Sequence, residues 1–135
     1  MDERTYIRLS EDMMPAMHRM ACSILRSQAD AQDAVQQALL NAWKARENAR
    51  SGAERAWLMR ITLNECRNLQ RDRLRQSRLA AMVQPEQAAW KPPNLALREA
   101  VDALPSRLRT PFLLKYMEGM SERETAEALA LRYPA

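Results

Sequence analysis

Apolar positions recur at helical spacing along most of the chain, and they divide it into two groups of helices. Met13, Met17, Met20, Ala21 and Ile24 share one face and predict an amphipathic helix over 12–26. A second stripe of Val35, Ala38, Leu39, Ala42 and Trp43 predicts a second helix, with Gln32, Gln36, Gln37, Asn41 and Lys44 on its outer face. Asp30 is placed to cap that helix, with Asp33 three residues on in a capping-box arrangement. Arg50, Ser51 and Gly52 interrupt the pattern and predict a turn. A third helix then runs from about Ala53 into a ladder of arginines at 67, 71, 73, 75 and 78, and its apolar period fades past Leu74. On it Leu58, Ile61, Thr62, Glu65 and Leu69 share one face, and Trp57, Arg60, Asn64, Arg67 and Arg71 another.

Residues 81–94 hold three prolines and no period, which predicts a linker between residues 1–80 and a second module over 95–135. There, Leu97, Ala100, Val101 and Leu104 predict a short helix stopped by Pro105. Ser106 or Thr110 can cap the next helix, with Pro111 in its first turn if Thr110 does so. Leu108, Phe112, Leu113 and Tyr116 supply its apolar side, and Gly119 is placed to end it. Ser121 and Glu124 form a second predicted capping box, with Ala126, Leu129 and Ala130 facing inward. The expected fold class is therefore all-α, in two small helical modules joined by a proline-containing linker.

Composition agrees with this division. Nine Met, two Gly and a single Phe favour helix over sheet. At 135 residues the chain can bury one modest core or two very small ones. No run of eighteen apolar residues predicts a membrane span. The first residues lack the basic-then-apolar layout of a secretory signal. Cys22 and Cys66 stand apart, with no spacing that predicts a disulfide framework. A reduced, cytoplasmic chain is expected.

Charge sharpens the picture through its location. Residues 1–46 carry six acids and six bases, 81–135 seven of each, and 47–80 four acids against eight arginines, so the whole net charge of +4 lies in 47–80. A basic stripe of that kind suits a phosphate backbone, although a solvated helix face would look similar. Catalysis has little support: there is one His, no Gly-rich phosphate loop and no nucleophile–base arrangement. His18 and Cys22 lie four apart on one helix face, but two ligands without a third predict no metal site, and no cofactor is expected.

These residues resemble an extracytoplasmic-function sigma factor, a small class of bacterial transcription initiation factor. The run Asp-Ala-Gln-Asp-Ala-Val-Gln-Gln-Ala-Leu from Asp30 is similar to the family's polymerase-docking helix, where D-A-E-D-x-x-Q-E-x-F is usual. Trp57–Leu69 resembles the helix that opens and reads the promoter −10 element. Leu97 to Leu131, with Ala-Leu-Pro, Phe-Leu-Leu-Lys-Tyr and Glu-Gly-Met-Ser, is similar to the start of the module that reads the −35 element.

The resemblance implies core RNA polymerase and promoter DNA as partners, and an anti-sigma factor as a further one. It places Asp30, Asp33, Gln36 and Asn41 at the polymerase. It places Asn48 and Arg50, in the loop Glu47 to Glu54, at a base flipped out of the stack. Trp57 is either a stacking face for that base or an inward-packed residue joining the helices. Arg60, Asn64, Arg67 and Arg71 suit phosphate contacts, with Asn64 equally suited to a buried hydrogen bond.

Departures from the pattern qualify these expectations. Gln32 and Gln37 stand where Glu is usual, and Leu39 where Phe is common, so the docking face is less acidic. Ser121 to Leu131 resembles only the first helix of a helix-turn-helix, with no basic recognition helix after it, so weak or absent −35 reading is expected. Apolar surface near Phe112, Met117, Ala126 and Leu129 would then invite a homodimer or a partner helix. Three readings compete: a sigma factor that melts a −10 element, one half of a split sigma factor, and an interaction module that occupies polymerase or an anti-sigma factor without initiating.

Overall fold

Asp2 opens the first helix by accepting a 2.8 Å hydrogen bond from the Thr5 amide, and that interaction holds the Asp2 carboxyl below its usual range. The computed structural model describes residues 1–79 and 95–130. Among them every regular element is helical. Helix α1 spans Glu3–Leu25, α2 Gln28–Lys44 and α3 Glu54–Leu79, with a 3-10 turn at Arg46–Asn48 before the loop to α3. Helix α4 follows at Leu95–Asp102, α5 at Ser106–Phe112 and α6 at Glu122–Ala128. The predicted linker over 81–94 lies outside the described residues.

Helix α1 starts nine residues before the predicted 12–26, because the period continues through Tyr6, Leu9 and Ser10 and the Asp2 cap lies upstream of it. Pro15 interrupts no apolar position: it lies on the exposed side, where a carbonyl left without a partner can meet water. The start of α2 corrects the expected cap. Ser27, not Asp30, is the N-cap, accepting from the Asp30 amide at 3.2 Å, so Asp30 lies in the first turn.

The inner face of α2 is almost all alanine: Ala31, Ala34, Ala38 and Ala42 are buried beside Val35. Small side chains let α1 and α3 approach closely and lose no rotamer freedom on burial. Met13, Met17 and Met20 of α1 fill the space left, a use suited to an unbranched, adaptable side chain. On α3 the buried line is Leu58, Met59, Thr62, Leu63 and Cys66, while Ile61, Glu65 and Leu69 are half-buried. The stripe is broader than predicted because α3 packs against α1 and α2 and also against α6. Thr62 satisfies its buried hydroxyl by donating to the Leu58 carbonyl at 2.9 Å.

The second module shares this core. Val101, Leu113, Leu114, Met120 and Ala128 join the buried residues of α1–α3 in one cluster. Charged ties add to it: the Arg19 guanidinium donates to both Glu118 oxygens, Nε to Oε1 at 2.7 Å and Nη2 to Oε2 at 2.8 Å. Two sequence expectations shift here. Helix α5 begins at Ser106 with Pro105 at its N-cap position, so neither Ser106 nor Thr110 is the cap and Pro111 sits inside the helix. A proline there lacks the amide that would bond four residues back, and the chain widens directly after it into a π-turn at Leu113–Met117, with Glu118 N bonding Leu113 O at 3.1 Å. Gly119 then takes φ +67, and Ser121 and Glu124 form both hydrogen bonds of the predicted capping box.

Burial pushes the Cys66 thiol up from 9.0 to about 12, whereas Cys22 is raised by a more modest burial. The folded value lies above the unfolded one, so this contribution to stability is intact below pH 9 and is lost as pH rises toward 12. A thiol reagent at pH 8 is expected to label Cys22 in the folded chain and Cys66 only after urea unfolding, as read by mass spectrometry.

Candidate nucleic-acid interface

The loop from Glu47 to Glu54 is shaped by its own residues. Gly52 takes φ +87, and its amide donates to both carboxylate oxygens of Glu54 at 3.0 Å. That fold-back turns the chain into α3 and sets the loop beside the first turns of the basic helix. Asn48, Arg50, Trp57 and Arg60 thereby line one cleft of about 380 Å³, with Ala53, Glu127 and Ala130 completing it. Four residues separated in sequence by up to twelve positions thus converge, and all four are among the residues suited to DNA.

Trp57 packs inward, half-buried against the core, and is still reachable from the cleft. Asn48, Arg50 and Arg60 are exposed. Arg50 lies 3.5 Å from Glu127 of α6, so the second module closes one side of the cleft in this arrangement. Further along α3, Asn64, Arg67 and Arg71 are exposed, which removes the buried alternative for Asn64. Arg71 donates to the Asn68 side chain within the helix.

The outer face of α2 presents Gln32, Asp33, Gln36 and Gln37 to solvent, with the exposed Leu40 beside them. Asp30 and Asn41 depart from the expected docking set. Asp30 is buried and paired with Arg73, so an arginine of the ladder folds back to tie α3 to the start of α2. Asn41 donates to Glu65 Oε1 at 2.6 Å and accepts from Gln37 Nε2 at 2.9 Å, a second link between α2 and α3. No local signal foretold either contact, because each partner lies more than twenty residues away. The end of α2 held another: Tyr6 meets Trp43 edge-on at 5.1 Å between ring centroids, and Arg46 sits 3.8 Å over the Trp43 ring.

Sigma-70 region 2 matches residues 9–76, and sigma-70 region 4 matches residues 94–134. The chain belongs to the sigma-70 family. With region 2 followed by region 4, it has the layout of an extracytoplasmic-function sigma factor, a transcription initiation factor and not an enzyme. Among solved structures, this sigma factor is similar to RpoE in complex with the anti-sigma factor NepR from Bartonella quintana, at 24% identity and a TM-score of 0.79, covering 96% of this chain and 85% of that one. It is also similar to CnrH in complex with the cytosolic domain of CnrY, at 28% identity and a TM-score of 0.67, covering 97% of this chain and 77% of that one. The first of these likenesses is one of fold. Among the described residues of the sigma factor, no helix is long and apolar enough to cross a membrane, and no group of three or more His, Cys, Asp and Glu side chains could hold a metal.

Proposed function

We propose that this sigma factor docks on bacterial core RNA polymerase through the outer face of α2 and helps melt and read a promoter −10 element with the cleft at the start of α3. The observation that carries this reading is the convergence of Asn48, Arg50, Trp57 and Arg60 on that cleft. Hydrogen-bonding groups, a guanidinium pair and one aromatic face are the parts needed to hold an unstacked base. Asp33 and Gln36 are the exposed docking groups, and Asn41 contributes by fixing α2 on α3. Arg60, Asn64, Arg67 and Arg71 follow the phosphate backbone along α3. The charge balance of residues 81–135 gives the second module little electrostatic hold on DNA, so −35 reading is weak.

One observation favours a second reading. The Arg50–Glu127 pair and the packing of α6 on α3 close one side of the cleft, which also suits a chain that occupies polymerase without melting DNA, alone or as half of a split sigma factor. An anti-sigma factor fits either reading, as does a homodimer through the exposed Leu108, Tyr116 and Met117. Phosphate contacts have a direct test. The affinity of the holoenzyme for a fluorescent −10 oligonucleotide is measured from 50 to about 200 mM salt. Arg60→Ala and Arg67→Ala should each weaken binding across sequences and lower the salt slope by about one. Unchanged slopes in both variants would remove α3 from the DNA path.

A further inference from the structure

A second cleft of about 380 Å³ lies where the end of α1, the middle of α3 and the α4–α5 corner meet, away from the proposed base site. Its lining is strongly cationic: Arg26, Arg67, Arg98 and Arg109 face it, with Asp102 as the one carboxylate. Arg98 is 7% exposed. Its Nη2 donates to the Ser23 carbonyl, and its Nε lies 3.0 Å from Asp102 Oδ1 without being aligned for a hydrogen bond. Its Nη1 is buried with no partner at all. Arg109 repeats the pattern: Nη2 reaches the carbonyls of Asp102 and Leu104 at 3.3 and 3.2 Å, while its buried Nε has none.

Guanidinium N–H groups buried without acceptors are costly, and native structures rarely leave them so. Asp102 is shared between Arg26 and Arg98, so a single carboxylate faces four guanidinium groups at this cleft. Arg67 adds a further cation, exposed at the cleft. At the rim, Arg26 is the left-handed C-cap of α1, with φ 56 and its amide bonded to the Cys22 carbonyl at 2.8 Å. Ser23, Gln70 and Thr110 add neutral hydrogen-bonding groups to the wall. A wall of forked donors around a pocket of this size matches one ligand chemistry: an oxyanion with several acceptor oxygens, of nucleotide and not single-ion size.

We propose that this cleft binds a phosphate-bearing small molecule, of the nucleoside di- or triphosphate class, and that the bound anion ties the two modules together. Arg67, exposed at the cleft, receives the phosphates, and the Arg98 and Arg109 side chains in the wall turn their unpartnered Nη1 and Nε to meet them. Because α1 and α3 supply one wall and α4 and α5 the other, the ligand binds the docked arrangement and stabilises it by mass action. The buried Arg98 lies beneath the surface a duplex could touch, which favours a small molecule there, while Arg67 at the cleft mouth is shared with the proposed phosphate path along α3.

Isothermal titration of the full chain at matched ionic strength tests this, with inorganic phosphate, pyrophosphate and ATP as probes and sodium chloride as the control. Pyrophosphate and ATP should bind saturably at one site and slow hydrogen exchange in α4 and α5. Arg109→Gln and Arg67→Gln should each weaken binding at least tenfold. Arg55→Gln, on an exposed part of α3 outside the cleft, should leave it unchanged. Arg98→Gln tests the buried donor, with a thermal melt to show that the chain still folds; the other two variants keep the test decisive if it does not. No saturable heat beyond the chloride control, equal weakening by Arg55→Gln, or binding seen only with a duplex oligonucleotide would overturn the proposal.

Discussion

Replacing Trp57 with Ala should reduce open-complex formation roughly 5- to 150-fold while leaving affinity for core polymerase unchanged. The range follows from base–aromatic stacking, about 1–3 kcal/mol per base. Trp57 is the aromatic side chain of the cleft lining, flanked there by Asn48, Arg50 and Arg60. It lies on a different helix from Asp33 and Gln36, so the proposed docking face is untouched. Trp57 is also half-buried against the core, and its removal costs stability as well. Trp57→Phe separates the two effects, since it keeps most of the apolar packing and a ring to stack on. Recovery of melting in Trp57→Phe to within a few-fold of the parent chain supports stacking. A Trp57→Ala chain that melts DNA as well as the parent would assign the residue to packing alone.

The largest effect on stability is expected at Leu58. Its side chain is 0% exposed and sits in the core cluster shared by both modules. Leu58→Ala should cost about 2–5 kcal/mol, from lost transfer energy and the cavity left behind. Native domains are stable by only about 5–15 kcal/mol, so this one change removes a large fraction. Because Val101, Leu114 and Met120 belong to the same cluster, the loss should appear in a single urea transition that both modules share. Two separate transitions, with only the first displaced, would show that the modules fold independently.

Period and punctuation carried most of the helical architecture. The stripe of Met13, Met17 and Met20, the turn at Gly52 and the Ser121–Glu124 box depend on neighbours within a few residues, so they could be read locally. The same holds for Asn48, Arg50, Trp57 and Arg60, whose types suited DNA and which the Gly52 turn brings together. The misreadings have physical causes. Asp30 looked like a cap because Ser27, three residues earlier, satisfies the same rule equally well. Its partner Arg73 lies forty-three residues on. Pro111 looked like a helix start because helix interiors rarely carry proline, and the π-turn that accompanies it has no sequence signature. The burial of Arg98 has no local signal, because only the meeting of α1, α3, α4 and α5 produces it.

Permanganate footprinting of a promoter library, with purified core RNA polymerase and this chain as its sole sigma factor, tests the central claim most directly. The account predicts reactive, unpaired thymines at a −10 element that appear only when the chain is present and fade in Trp57→Ala. Stable binding to core polymerase with no unpaired thymine on any promoter would contradict it.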